Sequence, residues 1–343
     1  MRINLIRITV LVILCICVSY SQSFVSDVSK RGTSAATFLS IGQSARAIGM
    51  GSAFVGIQGD PSAMYWNPAG IASIEGISLL FDHTNWFADV GYNFFAGTYS
   101  IDGFGTLGLS IIISDIGEMD VTTINQPDGT GQTFTATDFA VSLAYAIKLT
   151  DNFAIGFNPK FIYQSIWNTN ASSFALDMGV QYKTPFDDMI LAMSISNFGT
   201  KMQLQGNSTL ILYDEDPQSN GNNDKIPAYL ETKSWALPLT FRVGLAYEPV
   251  KSEDHLLILA LDALHPSDNY ESINIGAEYT FMNIFSIRGG YKSLFLNEAE
   301  ETFALGFGLK KQIVGNVTLY FDYAYQDFGR LSDIQKITFA ISF

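Results

Sequence analysis

From Ile77 to the last residue, apolar and polar positions alternate with a period of two. In Asn316–Gln326 (NVTLYFDYAYQ), one face carries Val317, Leu319, Phe321, Tyr323 and Tyr325, and the other carries Asn316, Thr318, Tyr320, Asp322, Ala324 and Gln326. The same pattern sets Phe303, Leu305, Phe307 and Leu309 against Thr302, Ala304, Gly306, Gly308 and Lys310. It also sets Leu239, Phe241, Val243, Leu245 and Tyr247 against Thr240, Arg242, Gly244, Ala246 and Glu248. Successive strand side chains point to opposite faces, so each such run predicts a β-strand with one apolar side and one polar or small side. Fourteen strands are predicted, at 77–85, 88–100, 105–117, 134–148, 153–166, 172–183, 189–197, 238–248, 255–264, 270–282, 285–295, 301–312, 316–326 and 332–343.

Strands of this kind suit either a soluble sandwich, with the apolar face packed inward, or a membrane barrel, with that face toward lipid. Strand length favours the barrel: most runs exceed the ~5–6 residues of ordinary strands and reach the ~9–11 that cross a bilayer at a tilt. Loop lengths agree. Connections after even-numbered strands are short (IDGF, LTDN, TPFDD, PVKSED, MN, IVG), whereas the long ones, 118–133 and 198–237, follow odd-numbered strands. Short periplasmic turns and longer external loops are the mark of an outer-membrane barrel with an even strand count. The chain ends in KITFAISF, which places Phe339, Ile341 and Phe343 on one face. That ending resembles the terminal-strand signal read by the bacterial barrel-assembly machinery. The predicted fold is therefore all-β, a single transmembrane antiparallel β-barrel of about 14 strands over 77–343.

Before the barrel, Arg2 and Arg7 precede the apolar run Ile8–Val18, and Ser19-Tyr20-Ser21 offers small residues for cleavage before Gln22. This reads as a signal peptide over 1–21; its core is too short to span a bilayer as a helix. No later stretch is long and apolar enough for a transmembrane helix. Both cysteines, Cys15 and Cys17, lie in the signal, so the mature chain has no thiol chemistry. The net charge of −14 becomes −16 once Arg2 and Arg7 are removed, which argues against nucleic acid as a partner.

The polar faces carry charges of both signs, including Asp138, Lys160, Asp177, Arg242, Asp262, Glu278, Arg288, Lys292, Asp322 and Lys336. Mixed signs predict ion pairs inside a filled barrel rather than a ring selecting one ion. Tyr92, Tyr163, Tyr279 and Phe281, near strand ends, are expected in interfacial girdles. Catalytic chemistry finds little support. Gly49-Met50-Gly51 with Gly56 lacks a P-loop lysine, and the three histidines, His83, His255 and His265, show no metal-ligand spacing. In 214–224, Asp214, Asp216, Asn220, Asn222 and Asp224 offer oxygen ligands, yet Pro227 stands where an EF-hand needs its bidentate Glu. That loop reads as solvated and acidic; no cofactor, metal or enzymatic activity is expected.

The remaining stretch, 22–76, is Gly-rich and turn-rich, which predicts a folded plug entering from the periplasmic side rather than a free tail. Asp60 as N-cap with Pro61 at the first position predicts one helical turn carrying Met64, Tyr65 and Trp66, stopped by Pro68. Asn67 is placed to tie this turn to the barrel wall. The sequence ATFLSIGQSARAIGMGSAFVGIQGDPSAMYWNPAGIA, beginning at Ala36, closely resembles the PorV/PorQ family of outer-membrane proteins, within the wider fold group of the fatty-acid transporter FadL. The resemblance rests on Ala45-Arg46-Ala47, Gly49-Met50-Gly51, Ala53-Phe54-Val55, Asp60-Pro61 and Trp66-Asn67-Pro68-Ala69-Gly70. It is specific over 36–76 and architectural over the barrel.

The resemblance implies an N-terminal hatch carrying Asp60, Pro61, Trp66, Asn67, Pro68, Ala69 and Gly70, in a barrel of the bacterial outer membrane. It also implies a role in type IX protein secretion or surface attachment, with secretion components and the C-terminal domains of cargo proteins as partners. The FadL side implies instead a channel for hydrophobic small molecules, with Phe54, Met64, Tyr65 and Trp66 lining a ligand cavity. A structural accessory barrel is the third reading.

Overall fold

The structure is a computed structural model that describes residues 30–343 except 217, 219–222, 224, 297–298, 314 and 332. The expected signal peptide and part of the acidic loop 214–224 lie outside the described residues. Among the described residues, fourteen long strands form the wall. They are β1 (Ile77–Asn85), β2 (Gly91–Ile101), β3 (Gly105–Asp115), β4 (Thr133–Thr150), β5 (Phe153–Ile166), β6 (Thr169–Lys183) and β7 (Ile190–Gly199). The second half comprises β8 (Thr240–Lys251), β9 (His255–Pro266), β10 (Ser272–Phe281), β11 (Phe285–Leu294), β12 (Phe303–Gln312), β13 (Thr318–Gln326) and β14 (Ile334–Ser342). Each pairs antiparallel with its neighbours in sequence. β1 also pairs with β14, with Phe81 opposite Phe339 and Asp82 opposite Thr338, so the sheet closes on itself and leaves no edge in its wall.

The faces are inverted relative to a water-soluble protein. Asp82, Asp177, Asp262 and Glu278 are buried to within 2% of complete, while Leu143, Phe174 and Ile287 on the opposite face are more than 60% exposed. An apolar outer band around a polar interior is the arrangement a bilayer requires of a barrel. No helix among the described residues is long and apolar enough to cross a membrane.

Strand positions follow the period-two reading within a few residues. Two features of the connections do not. The one after β3 carries a short strand, Glu118–Asp120, paired with the start of β4. The one after β7 holds a separate hairpin, Leu210–Tyr213 against Ile226–Tyr229. Tyr92 also departs from the girdle expectation. It falls on the inward parity of β2 and is 7% exposed, with its hydroxyl directed to Asp138. Tyr279 and Phe281 lie near the end of β10, where Phe281 is outward and exposed.

The N-terminal segment has short helical pieces at Thr37–Ser40, Ala45–Gly49, Ala63–Trp66 and Pro68–Ser73. Its described part starts at the end of the barrel bearing the long connections, where Ser34 Oγ donates to Asp268 and the Ala36 amide donates to Gln164. It finishes at the short-turn end, where the Gly76 carbonyl accepts from Ser100. Hence residues 31–76 run from the long-loop mouth to the short-turn mouth before β1 begins.

Candidate functional site

Local sequence sets the conformation of 60–73. Asp60 does not cap the helix directly: its carboxylate accepts from the Ser62 amide at 2.9 Å and the Ser62 hydroxyl at 2.6 Å, and the turn of helix starts at Ala63. Pro61 lies in that bend. Asn67 breaks the helix with an extended backbone, and its side chain accepts from the Ala69 amide at 3.1 Å. Pro68 therefore opens a second, 3-10 turn rather than simply stopping the first, because a missing N–H costs nothing at a helix start. Ala69 and Gly70 follow it, both buried.

Side chains of the wall then hold this segment through its backbone. Asp262 Oδ2 on β9 accepts from the amides of Phe54 at 2.7 Å and Val55 at 3.0 Å. Asn67 Nδ2 donates to the carbonyls of Val55 at 3.0 Å and Val180 on β6 at 3.1 Å. Gln181 donates to Val55 and Ile57, and Asn158 on β5 to the Met64 carbonyl. At the closing pair of strands, Lys336 Nζ bridges Asp82 at 3.0 Å and the Gly42 carbonyl at 2.6 Å. Asp82 accepts from the Ser44 amide, and Thr338 Oγ1 accepts from the Ala45 amide. Each buried backbone group so paired avoids the cost of an unsatisfied polar atom in a low-dielectric interior.

Charge is paired as well. Arg46 donates to Glu278 at 2.6 Å and Asp60 at 3.2 Å, and Arg288 bridges Glu278 at 2.5 Å and Asp322 at 2.6 Å. Lys160 pairs with Asp177 at 2.7 Å.

Close approach of the segment depends on small residues of the inner face. A Cβ on Gly276 would stand 2.1 Å from the Met50 carbonyl oxygen, and one on Gly290 2.2 Å from the Gly51 nitrogen. Only glycine leaves room for backbone on backbone at those positions.

The aromatic candidates separate into two groups. Trp66 and Tyr65 meet edge to face, with centroids 5.0 Å apart, and both border a chamber of about 310 Å³ on the long-loop side. Trp66 Nε1 donates to the Gln43 carbonyl, and the Tyr65 hydroxyl donates to that of Leu39; burial pushes the Tyr65 phenol up to about 12. Phe54 and Met64 border neither this chamber nor a second one, and are completely buried in packing. The second chamber, about 390 Å³, lies on the short-turn side and is bordered by Arg46, Asp60, Glu278 and Arg288. Phe339 and Ile341 sit on the outer face of β14, and the Phe343 amide closes onto the Ile77 carbonyl at 2.9 Å. No cluster of three or more His, Cys, Asp or Glu suited to a metal occurs among the described residues.

Sequence reasoning missed the inner-face glycines as docking positions and Asp82, Lys336 and Gln181 as tethers. The alternation marked their face as polar or small, but not what would meet it.

Comparison with protein families matches residues 25–230, more than half of the chain, to "PorV: Type IX secretion system protein PorV". No curated protein matches. Among solved structures, the CymD monoaromatic hydrocarbon channel is similar at 12% identity and a TM-score of 0.57, over 88% of this chain and 98% of that one. The toluene transporter TodX of Pseudomonas putida gives 13% and 0.55, over 86% and 96%. The toluene transporter TbuX of Ralstonia pickettii gives 13% and 0.54, over 87% and 97%. At such identities the likeness concerns the fold.

Proposed function

Because the chain belongs to the PorV family and shares its fold with the FadL-like hydrocarbon channels, we propose that it is a plugged outer-membrane channel admitting small hydrophobic molecules. Residues 31–76 are the plug. The observation that carries this reading is the pair of chambers, one toward each mouth, separated by a segment that the wall grips through hydrogen bonds. A binding chamber on the outer side and a removable barrier beneath it are what a gated uptake route needs. Tyr65 and Trp66 provide the apolar contact surface; Phe54 and Met64 serve as packing within the plug. The barrel is not an enzyme, and its outer wall faces the lipid of the outer membrane.

The test is uptake of labelled toluene by a deletion strain and the same strain carrying the gene. The expected result is uptake several-fold faster with the gene. Equal rates, with the barrel present in the membrane, would remove the channel reading.

A second reading, assistance to type IX secretion, is supported by the family match, whose span includes the hairpin after β7. Leu212 and Tyr229 of that hairpin are each 63% exposed, which suits a docking surface for a secretion component or a cargo C-terminal domain.

A further inference from the structure

The outer wall carries a groove of about 820 Å³ across the seam where β14 meets β1. Two cross-strand rows of outward side chains shape it. The row nearer the middle of the wall holds four phenylalanines on consecutive strands, Phe321, Phe339, Phe81 and Phe95. Their rings pack in pairs, with centroids 5.2 Å apart for Phe321 and Phe339 and 4.8 Å apart for Phe81 and Phe95. The row one step toward the short turns reads Lys311, Leu319, Ile341, Leu79, Gly97 and Leu109, from β12 round to β3. Gly97 is the break in it, a position with no side chain between the exposed Leu79 and Leu109. A Cβ there would meet only Leu79, at 3.2 Å, so no approach of backbone from within demands glycine. Glycine inside a strand weakens it, and often marks a place where a ligand comes close.

Lys311 closes one end of the same row. It is exposed on the outward parity of β12, whereas its neighbour Lys310 turns to Asn283. Lys311 forms no ion pair among the described residues, and no acid borders the groove. An apolar trough that ends at an unpaired cation matches an amphiphile with an anionic headgroup. From Lys311 to Leu109 the row crosses five interstrand gaps of ~4.8 Å, about 24 Å in all, which suits a long acyl chain rather than a small aromatic molecule. A second copy of this chain is a poorer fit. Placed groove to groove, it would bring another Lys311 and no carboxylate to meet either one.

We propose that this groove holds a glycerophospholipid of the leaflet at the short-turn end, with an acyl chain lying over Gly97 and the phosphate at Lys311. The lysine stem follows the apolar row while its ammonium reaches the headgroup level. This goes beyond the channel reading, since the lipid would be held whether or not the barrel conducts.

The test is native mass spectrometry of the full chain, purified in detergent, delipidated and titrated with dioleoylphosphatidylglycerol or with dioleoylglycerol, which has the same chains and no charge. The unaltered chain is expected to bind the phosphatidylglycerol several-fold more tightly. Gly97→Leu is expected to weaken binding of both lipids several-fold by filling the dent. The control is Gly289→Leu, at an outward glycine of β11 that does not border the groove and whose new Cβ would meet only Leu305, at 3.8 Å; it is expected to change nothing. Lys311→Gln is expected to remove the preference for the charged lipid while keeping dioleoylglycerol bound. Heat-modifiable migration on gels reports whether each variant keeps the folded barrel. Equal binding of the two lipids by the unaltered chain would overturn the proposal, and that comparison needs no variant. So would equal effects of Gly97→Leu and Gly289→Leu, which mark lipid bound anywhere on the wall, or a preference that survives in folded Lys311→Gln. A dimer that disappears in Gly97→Leu would also overturn it, and would give the groove to a second copy.

Discussion

Asp262 joins two distant parts of the chain with one oxygen, accepting the amides of Phe54 and Val55 from within the wall of the barrel. A hydrogen bond to a charged group contributes about 1.5–3 kcal/mol. Asp262→Ala is therefore expected to weaken the attachment of the N-terminal segment by ~3 kcal/mol while leaving the strand ladder intact. Asp262→Asn, which keeps an acceptor, should lose less. Hydrogen exchange checks this: protection at 53–56 should fall in the Ala variant, with protection in β8 and β9 unchanged. Unchanged protection at 53–56 would show that Asp262 does not hold the N-terminal segment. Asn67 is the complementary case. An Asn before Pro at a turn announces a side chain that bonds to backbone, and it bonds to Val180 as well as to its own turn. Phe54 and Met64 were less legible, since the residue types that line a ligand cavity are also those that fill a core. Only the packed neighbours separate the two uses.

At the level of elements, the strands were readable because in most of them the alternation persists over most of nine or more residues, as in Gly105–Asp115 and Thr169–Lys183. The pairing of β1 with β14 follows from closing an even-numbered antiparallel sheet. By contrast, Leu210–Tyr213 is apolar throughout and exposed at all four positions, so it offers no period to read. The inner-face glycines were visible as residues but not as docking sites, because their partners are far away in sequence, as Gly276 is from Met50. The Leu210–Tyr213 hairpin yields the prediction proper to this scale. Replacing 208–231 with a short Gly-Ser linker should leave heat-modifiable barrel folding unchanged, since this hairpin is a separate two-stranded sheet. If the secretion reading is correct, proteins with type IX C-terminal domains should then accumulate in the periplasm, as read from surface and culture-fluid proteomes. Normal export with the shortened loop would dismiss the hairpin as the docking element.

Across the whole molecule, one design recurs: the outer face carries an apolar band, and the inner face holds the N-terminal segment. Ion pairs at Asp82–Lys336, Arg46–Glu278 and Arg288–Asp322 lie in the interior, where the charges of both signs in the sequence pointed. The same mixture of signs predicted a filled interior, but not the contacts that fill it. Those contacts join 31–76 to strands up to 294 residues away, such as Lys336 with Gly42. We infer that this segment seals the barrel, and planar-bilayer conductance of the native chain beside Gly276→Val is the first measurement to make. The added side chain must displace Met50, whose carbonyl oxygen would lie 2.1 Å from the new Cβ. A sealed native barrel should show no steady open state, and the variant a markedly raised ion conductance. A native barrel that stays open, with conductance matching that of the variant, would mean that 31–76 does not seal it.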